Sequence, residues 1–327
     1  MPEFARGVVV GKFLPPHGGH KHLIDTARAR CARLEVLCCV KADDPIPGEL
    51  RVAWLREIHP DCLVHFVVDT LADDDTPGWT ANTIRILGGA PDAVFTSEDY
   101  GPGYAALMGA HHVMVDRERE RVPISATRVR AAPLAHFAFL EPCVRAYYTV
   151  RVVVLGAEST GTTTLSQDLA ARFGAPWIGE YGRDYPVPAE WRTEDFVAIA
   201  NEQACREDAA ARSGDGLIVL DTDAFATSVW HWRYMGFRSS EVEAIHPEHP
   251  ATITFLTGDE IPFVQDGTRD GEHIRHEMHK EFQRRIEEEA RAFTLLLGSR
   301  ADRLTQATSI LRRKLQDLGA IANGTPV

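Results

Sequence analysis

Lysine is scarce in this chain of 327 residues, which has only Lys12, Lys21, Lys41, Lys280 and Lys314. Arginine must therefore carry most of the cationic work. The net charge of −12 argues against nonspecific nucleic-acid binding as the main role, so anionic substrates would need local positive sites. No apolar run reaches about 18 residues, which excludes a membrane-spanning helix. The N-terminus runs almost directly into a strand, leaving no room for a secretory signal. The six cysteines, at 31, 38, 39, 62, 143 and 205, form no C-x-x-C pair, and several sit among apolar neighbours. Reduced thiols and a cytoplasmic location follow. No glycine/serine linker, low-complexity tract or internal repeat divides the chain.

The length predicts two domains, with the boundary at 149/150. The first is organised around Gly7–His22, GVVVGKFLPPHGGHKH. Val8–Val10 reads as a buried strand and Gly18–His20 as a helix start. Leu23, Ile24, Ala27, Cys31 and Leu34 then repeat at helical spacing. A strand, a tight loop and a helix N-terminus make an anion site, and His17 and His20 stand at its turn. Imidazole donors suit a phosphate chain that gains negative charge as a bond breaks. Further strands are expected at Val36–Val40, Leu63–Val68, Ala93–Ser97 and Val113–Asp116. Glu49–Ile58 reads as a helix between the first two, and Trp79 falls in a loop after the acidic turn Asp73–Pro77. Strands alternating with helices predict a doubly wound parallel sheet, with ligands beyond the carboxyl ends of its strands. Ile124–Pro133, ISATRVRAAP, starts another capped basic helix.

The string G-K-F-x-P-P-H-x-G-H resembles the signature of the nucleotidylyltransferase superfamily. GKFLPPHGGHKHLI is most similar to its nicotinamide-mononucleotide adenylyltransferase branch. That resemblance implies that Lys12, His17 and His20 hold the phosphates of ATP, with Gly11 and Phe13 in the same loop. ISATRVR resembles the superfamily's I-S-x-T-x-x-R element, which clamps the β- and γ-phosphates; Ser125, Thr127 and Arg128 are carried over, with Arg128 expected to matter most. Ser97–Tyr100 resembles the adenosine-side loop, and Trp79 would stack on a cationic nicotinamide. A phosphopantetheine acceptor shares the H-x-G-H corner, but the Trp79 loop and the second domain argue against it.

The second domain predicts its own doubly wound α/β sheet. Strand Arg151–Leu155 runs into Gly156, Ala157, Glu158, Ser159, Thr160, Gly161, Thr162, Thr163 and Thr164. A helix with Leu165, Leu169 and Phe173 on one face follows. Strand, glycine-bounded loop and helix are the setting of a P-loop. Its spacing puts Thr163 on Mg²⁺, but Thr162 replaces the lysine that follows the transferring phosphoryl group. Strand Ile218–Leu220 ends in Asp221-Thr222-Asp223, carboxylates suited to a metal and a base. GEYGRDY (Gly179–Tyr185) sets Glu180, Tyr181 and Arg183 in a loop, and PFVQDGTR puts Asp266 and Arg269 where a lid could close.

In this order, GAESTG, GEYGR, LDTD and PFVQDGTR resemble the ribosylnicotinamide kinase domain fused behind the adenylyltransferase in NadR-type bifunctional proteins. The resemblance covers nearly the whole chain. It implies that Glu180, Tyr181 and Arg183 contact nicotinamide riboside, that Asp221 and Asp223 serve metal and base, and that Arg269 acts from a lid. ATP, nicotinamide mononucleotide and nicotinamide riboside are then the small-molecule partners and Mg²⁺ the cofactor. No nucleic acid or membrane insertion is expected, and a homo-oligomer is left open. The alternative is an active adenylyltransferase whose lysine-less P-loop domain only binds nucleotide or riboside, as a regulatory or oligomerisation module. A repressor would need a helix-turn-helix ahead of the first strand, for which Met1–Arg6 leaves no room.

His273, His276 and His279 recur every third residue without zinc spacing and are expected on a solvated helical face. Ile274, Met278, Phe282, Ile286, Ala290, Phe293 and Leu297 are expected as the apolar stripe of the same helix. Leu304, Leu311, Leu315 and Leu318 predict a last helix closed by Gly319.

Overall fold

The structure is a computed structural model and describes residues 1–262 and 272–320. The chain forms two compact units, Met1–Val144 and Arg145–Val327.

The first unit runs β1 (Phe4–Gly11), α1 (Gly18–Arg30), β2 (Cys31–Val40), α2 (Gly48–Ile58), β3 (Leu63–Val68), α3 (Thr76–Leu87), β4 (Ala93–Thr96), α4 (Gly101–Met108), β5 (His111–Met114) and α5 (Ala126–Ala131). A 3-10 turn (Leu134–Phe139) follows, and α6 (Pro142–Tyr148) leads into the second unit. The strands lie in the order β3-β2-β1-β4-β5, all parallel. Successive residues of β1 feed opposite faces. Val9 joins Ile24, Val36, Leu55 and Phe95 on one side, whereas Val8 joins Leu37, Val67, Val94 and Tyr104 on the other. Burying each such side chain contributes about 1.5–3 kcal/mol, and a strand covered on both faces must read as a continuous apolar run. The order reverses at β1, which pairs with β2 on one side and β4 on the other. Ligand crevices open at such a reversal, beyond the strand ends.

Two local expectations change. Cys31 and Leu34 lie on β2, because Cys31 is already extended and pairs with Phe4. Trp79 sits in the first turn of α3, not in a loop. Asp75 caps that helix by accepting a hydrogen bond from the Gly78 N–H at 2.9 Å, and Pro77 preorganises its first turn.

The second unit runs β6 (Val150–Leu155), α7 (Thr162–Phe173), β7 (Trp177–Ile178), a 3-10 turn (Tyr181–Arg183), α8 (Thr193–Ser213), β8 (Leu217–Leu220) and α9 (Ala224–Met235). It continues through α10 (Ser240–Glu243), β9 (Ile253–Thr257), α11 (Glu272–Glu288), β10 (Thr294–Leu296) and α12 (Arg300–Asp317). This sheet is also parallel, in the order β10-β9-β6-β8-β7, and it reverses at β6. Both sheets match the doubly wound α/β class that the sequence predicts.

In α11, Met278, Phe282 and Ile286 are buried as expected. The helix ends at Glu288, however, and Ala290 takes a left-handed φ of 52°. Phe293 and Leu297 therefore flank β10 and do not extend the stripe. His276 is exposed and bonds Asp259, whereas His279 is buried, contrary to the solvated face expected for it. In α12, Leu311 and Leu315 are buried together with Arg303, and Gly319 follows the helix in the left-handed region. No helix among the described residues is long and apolar enough to cross a membrane.

Candidate functional site

At the reversal of the first sheet, β1 ends at Gly11 and the chain turns through Lys12 and Phe13 into α1. Phe13 is buried at a left-handed φ of 46°. His17 is the N-cap of α1, and its Nδ1 accepts from the Gly19 N–H at 3.1 Å. One helical turn into α1, His20 stacks on His17 with ring centroids 3.8 Å apart, and meets the Phe13 ring edge-on at 5.0 Å. The Nδ1 of His20 is buried and has no hydrogen-bond partner.

Two depressions flank this corner. A cleft of about 490 Å³ is lined by Gly11, Lys12, Phe13, His20, Trp79, Ser97 and Tyr100, among others. A groove of about 200 Å³ is lined by His17, His20, Ser97, Arg119, Ser125 and Thr127. His20, Ser97 and Glu98 are common to both, so a mononucleotide-sized space and a phosphate-sized space meet at one imidazole. Lys12 reaches Asp73 at 3.4 Å across the cleft rim. The half-buried Trp79 is held by its indole N–H, which donates to the Ala72 carbonyl at 3.1 Å. Asp69, buried at the cleft wall, has both carboxylate oxygens without a hydrogen-bond partner and Lys41 at 3.8 Å.

Ser125 caps α5, accepting from the Arg128 N–H at 3.3 Å. The Arg128 side chain is exposed and donates to the Pro123 carbonyl at 2.9 Å, and it does not line the groove. Arg130, two residues on, donates to the Leu14 carbonyl inside the GKFLPPHGGH loop. Counting I-S-x-T-x-x-R from Ile124 ends on Arg130, so the motif's arginine is this residue and not Arg128. Arg119, which belongs to no motif, also lines this groove. It takes a φ of 54° and reaches Glu98 at 3.3 Å, on the groove that holds both histidines.

Burial, and then the Arg119 charge, pushes the His17 imidazole down to about 4. His20 is pushed down too, by burial, by His17 and by Arg119. Both shifts favour the neutral ring at pH 7. A depressed imidazole contributes stability that is fully present above its unfolded value near 6.5, and loses it as pH falls through about 4. Acid sensitivity across that window should be smaller in His17→Gln than in the parent. Melting temperatures of both proteins at pH 7 and pH 4.5 measure this, and equal losses would remove His17 as its source.

In the second unit, β6 delivers Gly156, Glu158, Ser159 and Thr162 to a cleft of about 430 Å³. Ser159 and Gly161 take left-handed φ values of 59° and 86°, which bends the loop back on itself ahead of α7. Thr160 is fully buried beneath the loop and bonds Thr257 at 2.7 Å and the Ala157 carbonyl at 2.6 Å. Thr163 donates to Asp221 Oδ2 at 2.7 Å, while Thr164 is exposed on the helix. Burial pushes Asp221 up to about 6, with the Thr163 hydrogen bond opposing, and its Oδ1 has no hydrogen-bond partner. A paired threonine hydroxyl and a buried carboxylate oxygen without a partner fit a hard divalent cation.

The two aspartates of DTD go to different places. Asp221 lines the cleft. Asp223 caps α9, accepting from the Ala226 N–H at 3.1 Å, and pairs with Arg291 at 2.6 Å. It does not line the cleft. Glu180 and Arg183 do line it, whereas Tyr181 lies under the Arg206 guanidinium, 4.4 Å from its ring centroid. The far wall is aromatic: Tyr185, Trp191, Phe196, Trp230 and Tyr234. These rings come from the loop after β7, α8 and α9, so no local motif announces them. Asp266 and Arg269 lie outside the described residues.

Residues 151–303 match the AAA domain family. Over 293 residues the chain is 28% identical to the trifunctional NAD biosynthesis/regulator protein NadR of Escherichia coli strain K12, spanning 80% of this chain and 71% of that one. It is 26% identical to the same-named protein of Salmonella typhimurium strain LT2 over 294 residues, again 80% and 71%. A crystal structure of NadR with NAD and AMP-PNP superposes with a TM-score of 0.76 at 20% identity, covering 99% of both chains. A NadR structure with NR gives 0.75 at 22% identity, covering 96% of both.

Proposed function

We propose, on the NadR architecture that the chain shares from end to end, that this protein joins two consecutive steps of NAD synthesis. Residues 1–149 transfer AMP from ATP to nicotinamide mononucleotide, and residues 150–327 phosphorylate nicotinamide riboside to make that mononucleotide. The observation that carries the reading is the pair of stacked imidazoles at the N-terminus of α1.

In the first reaction a phosphate oxygen of the mononucleotide forms a bond to the α-phosphorus. The bond from that phosphorus to the bridging oxygen breaks, and pyrophosphate leaves. No protein nucleophile is needed; positioning and charge neutralisation supply the rate. His17 and His20 donate to the phosphates, with Lys12, Ser125 and Thr127 beside them, and Arg130 holds the loop. Trp79 faces the cleft where a pyridinium ring would stack. In the second reaction the P-loop amides cradle ATP. Thr163 and Asp221 would hold Mg²⁺, which screens phosphate charge when bound. Glu180 is the carboxylate that takes the hydroxyl proton, because Asp223 is committed to its cap and to Arg291. The aromatic wall suits the flat, cationic base of the riboside. Small phosphorylated substrates and reduced thiols fit a cytoplasmic enzyme.

The replacement of lysine by Thr162 favours one competing reading, a second unit that binds without turnover. Incubation of the chain with Mg·ATP and nicotinamide riboside separates the two. Mononucleotide should appear first and the dinucleotide after it. Dinucleotide formed from added mononucleotide, but none formed from riboside, would reduce the second unit to a binding module.

A further inference from the structure

A P-loop without lysine lacks the cation that travels with the phosphoryl group, a loss worth roughly 10²–10³ in rate for one preorganised donor. Among the described residues, Arg303 and Arg183 stand on opposite footings at this loop. Arg303 on α12 is buried, with its guanidinium donating to the Thr160 carbonyl at 2.6 Å, the Gly258 carbonyl at 2.9 Å and Glu260 at 2.9 Å. It braces the loop through backbone carbonyls, and it is not part of the cleft lining. Arg183 is the one cationic side chain among the described residues that line the cleft. Its side chain is 57% exposed, and its Nε donates to Glu180 at 2.8 Å. An ion pair with an arginine this exposed is worth about 0–1 kcal/mol. Its charge also acts on Asp221, whose Oδ2 is bonded to Thr163, the neighbour of Thr162.

We propose that Arg183 supplies the charge that Thr162 does not, contacting the transferring γ-phosphoryl group. This rests on the kinase reading above and adds to it a catalytic residue particular to a chain with threonine at position 162. In the step, the riboside 5′-hydroxyl oxygen bonds to the γ-phosphorus while the bond to the ADP oxygen breaks. The hydroxyl proton passes to Glu180, and ADP departs with the bond's electron pair. The planar Arg183 fork can present two parallel donors to two equatorial oxygens, where an ammonium acts as a point charge. Release from Arg183 also frees Glu180 to act as the base.

The test is steady-state riboside phosphorylation by the full-length chain and three variants: Arg183→Gln, Arg183→Lys and the double variant Arg183→Gln/Thr162→Lys. The Gln variant should lose about 10²–10³ in kcat, with the riboside KM within threefold and both adenylyl transfer and melting temperature unchanged. The Lys variant should fall between it and the parent. Restoring the P-loop lysine in the double variant should recover at least about tenfold. A Gln variant that raises only the riboside KM, or a double variant no faster than the single one, overturns the proposal and returns Arg183 to substrate binding. A parent that makes NAD from mononucleotide but never phosphorylates riboside takes down the kinase reading itself, and this inference with it.

Discussion

His20→Ala is expected to slow adenylyl transfer by about 10²–10³-fold while riboside phosphorylation continues at the parental rate. The expectation follows from what His20 touches. Its ring is held by the stack on His17 at 3.8 Å and by the edge contact with Phe13 at 5.0 Å. It also borders both the cleft and the groove, where the bond between the α- and β-phosphates would lie. A donor held rigid stabilises developing charge without reorganising at the moment of reaction. Truncation also leaves a hole beside Phe13, so His20→Gln is the companion variant, keeping most of the volume and an amide donor. If both variants melt with the parent and both lose turnover, chemistry and not folding was removed. A fully active His20→Ala would end the assignment of this corner to ATP.

The first unit's corner was legible because its information is local. Strand, loop and helix N-terminus occupy one run from Gly7 to His22, and the apolar period marks where one ends and the next begins. The motif in α5 was legible in type but not in register. Arg128 and Arg130 are both arginines at the end of one short helix, and only the second turns back to the Leu14 carbonyl. Arg119 sits in the charged run Arg117–Arg121, where nothing in the pattern separates a groove residue from a solvated one.

The second unit hides more. Its longest helix, α8, buries Gln203 and Glu207 on the same face as Phe196, Ile199, Ala200 and Ala211, so the apolar stripe is interrupted where the chain is most buried. Gln203 repays its burial by accepting from the Tyr181 N–H at 3.0 Å, which anchors the turn carrying Arg183. The DTD pair was open to a finer reading. Asp221 directly follows the last residue of β8, and Asp223 is an acceptor directly before a helix, the usual position of a cap. The aromatic wall, by contrast, is assembled from three separated segments and exists only after folding.

Asp221→Asn should abolish riboside phosphorylation, by at least about 10²-fold, and raise stability at the same time. Asp221 directly follows β8 beside the P-loop, almost fully shielded from water, with one oxygen accepting from Thr163 and the other without a hydrogen-bond partner. Burial holds its carboxyl up near 6, against about 4 in an unfolded chain. The native state therefore binds more protons than the unfolded one between those values, and stability falls as pH rises through the window. Above about 6 the whole cost of the buried charge is present; below about 4 none of it is. The Asn variant should thus melt higher than the parent at pH 8 and no higher at pH 4, while its adenylyl transfer is untouched. That cost persists because a divalent cation carried in with ATP would offset it, so adding Mg·ATP should narrow the gap at pH 8 by stabilising the parent more than the variant. An Asn variant that phosphorylates riboside at the parental rate would leave the buried oxygen without a chemical purpose, and with it the metal position proposed for the second unit.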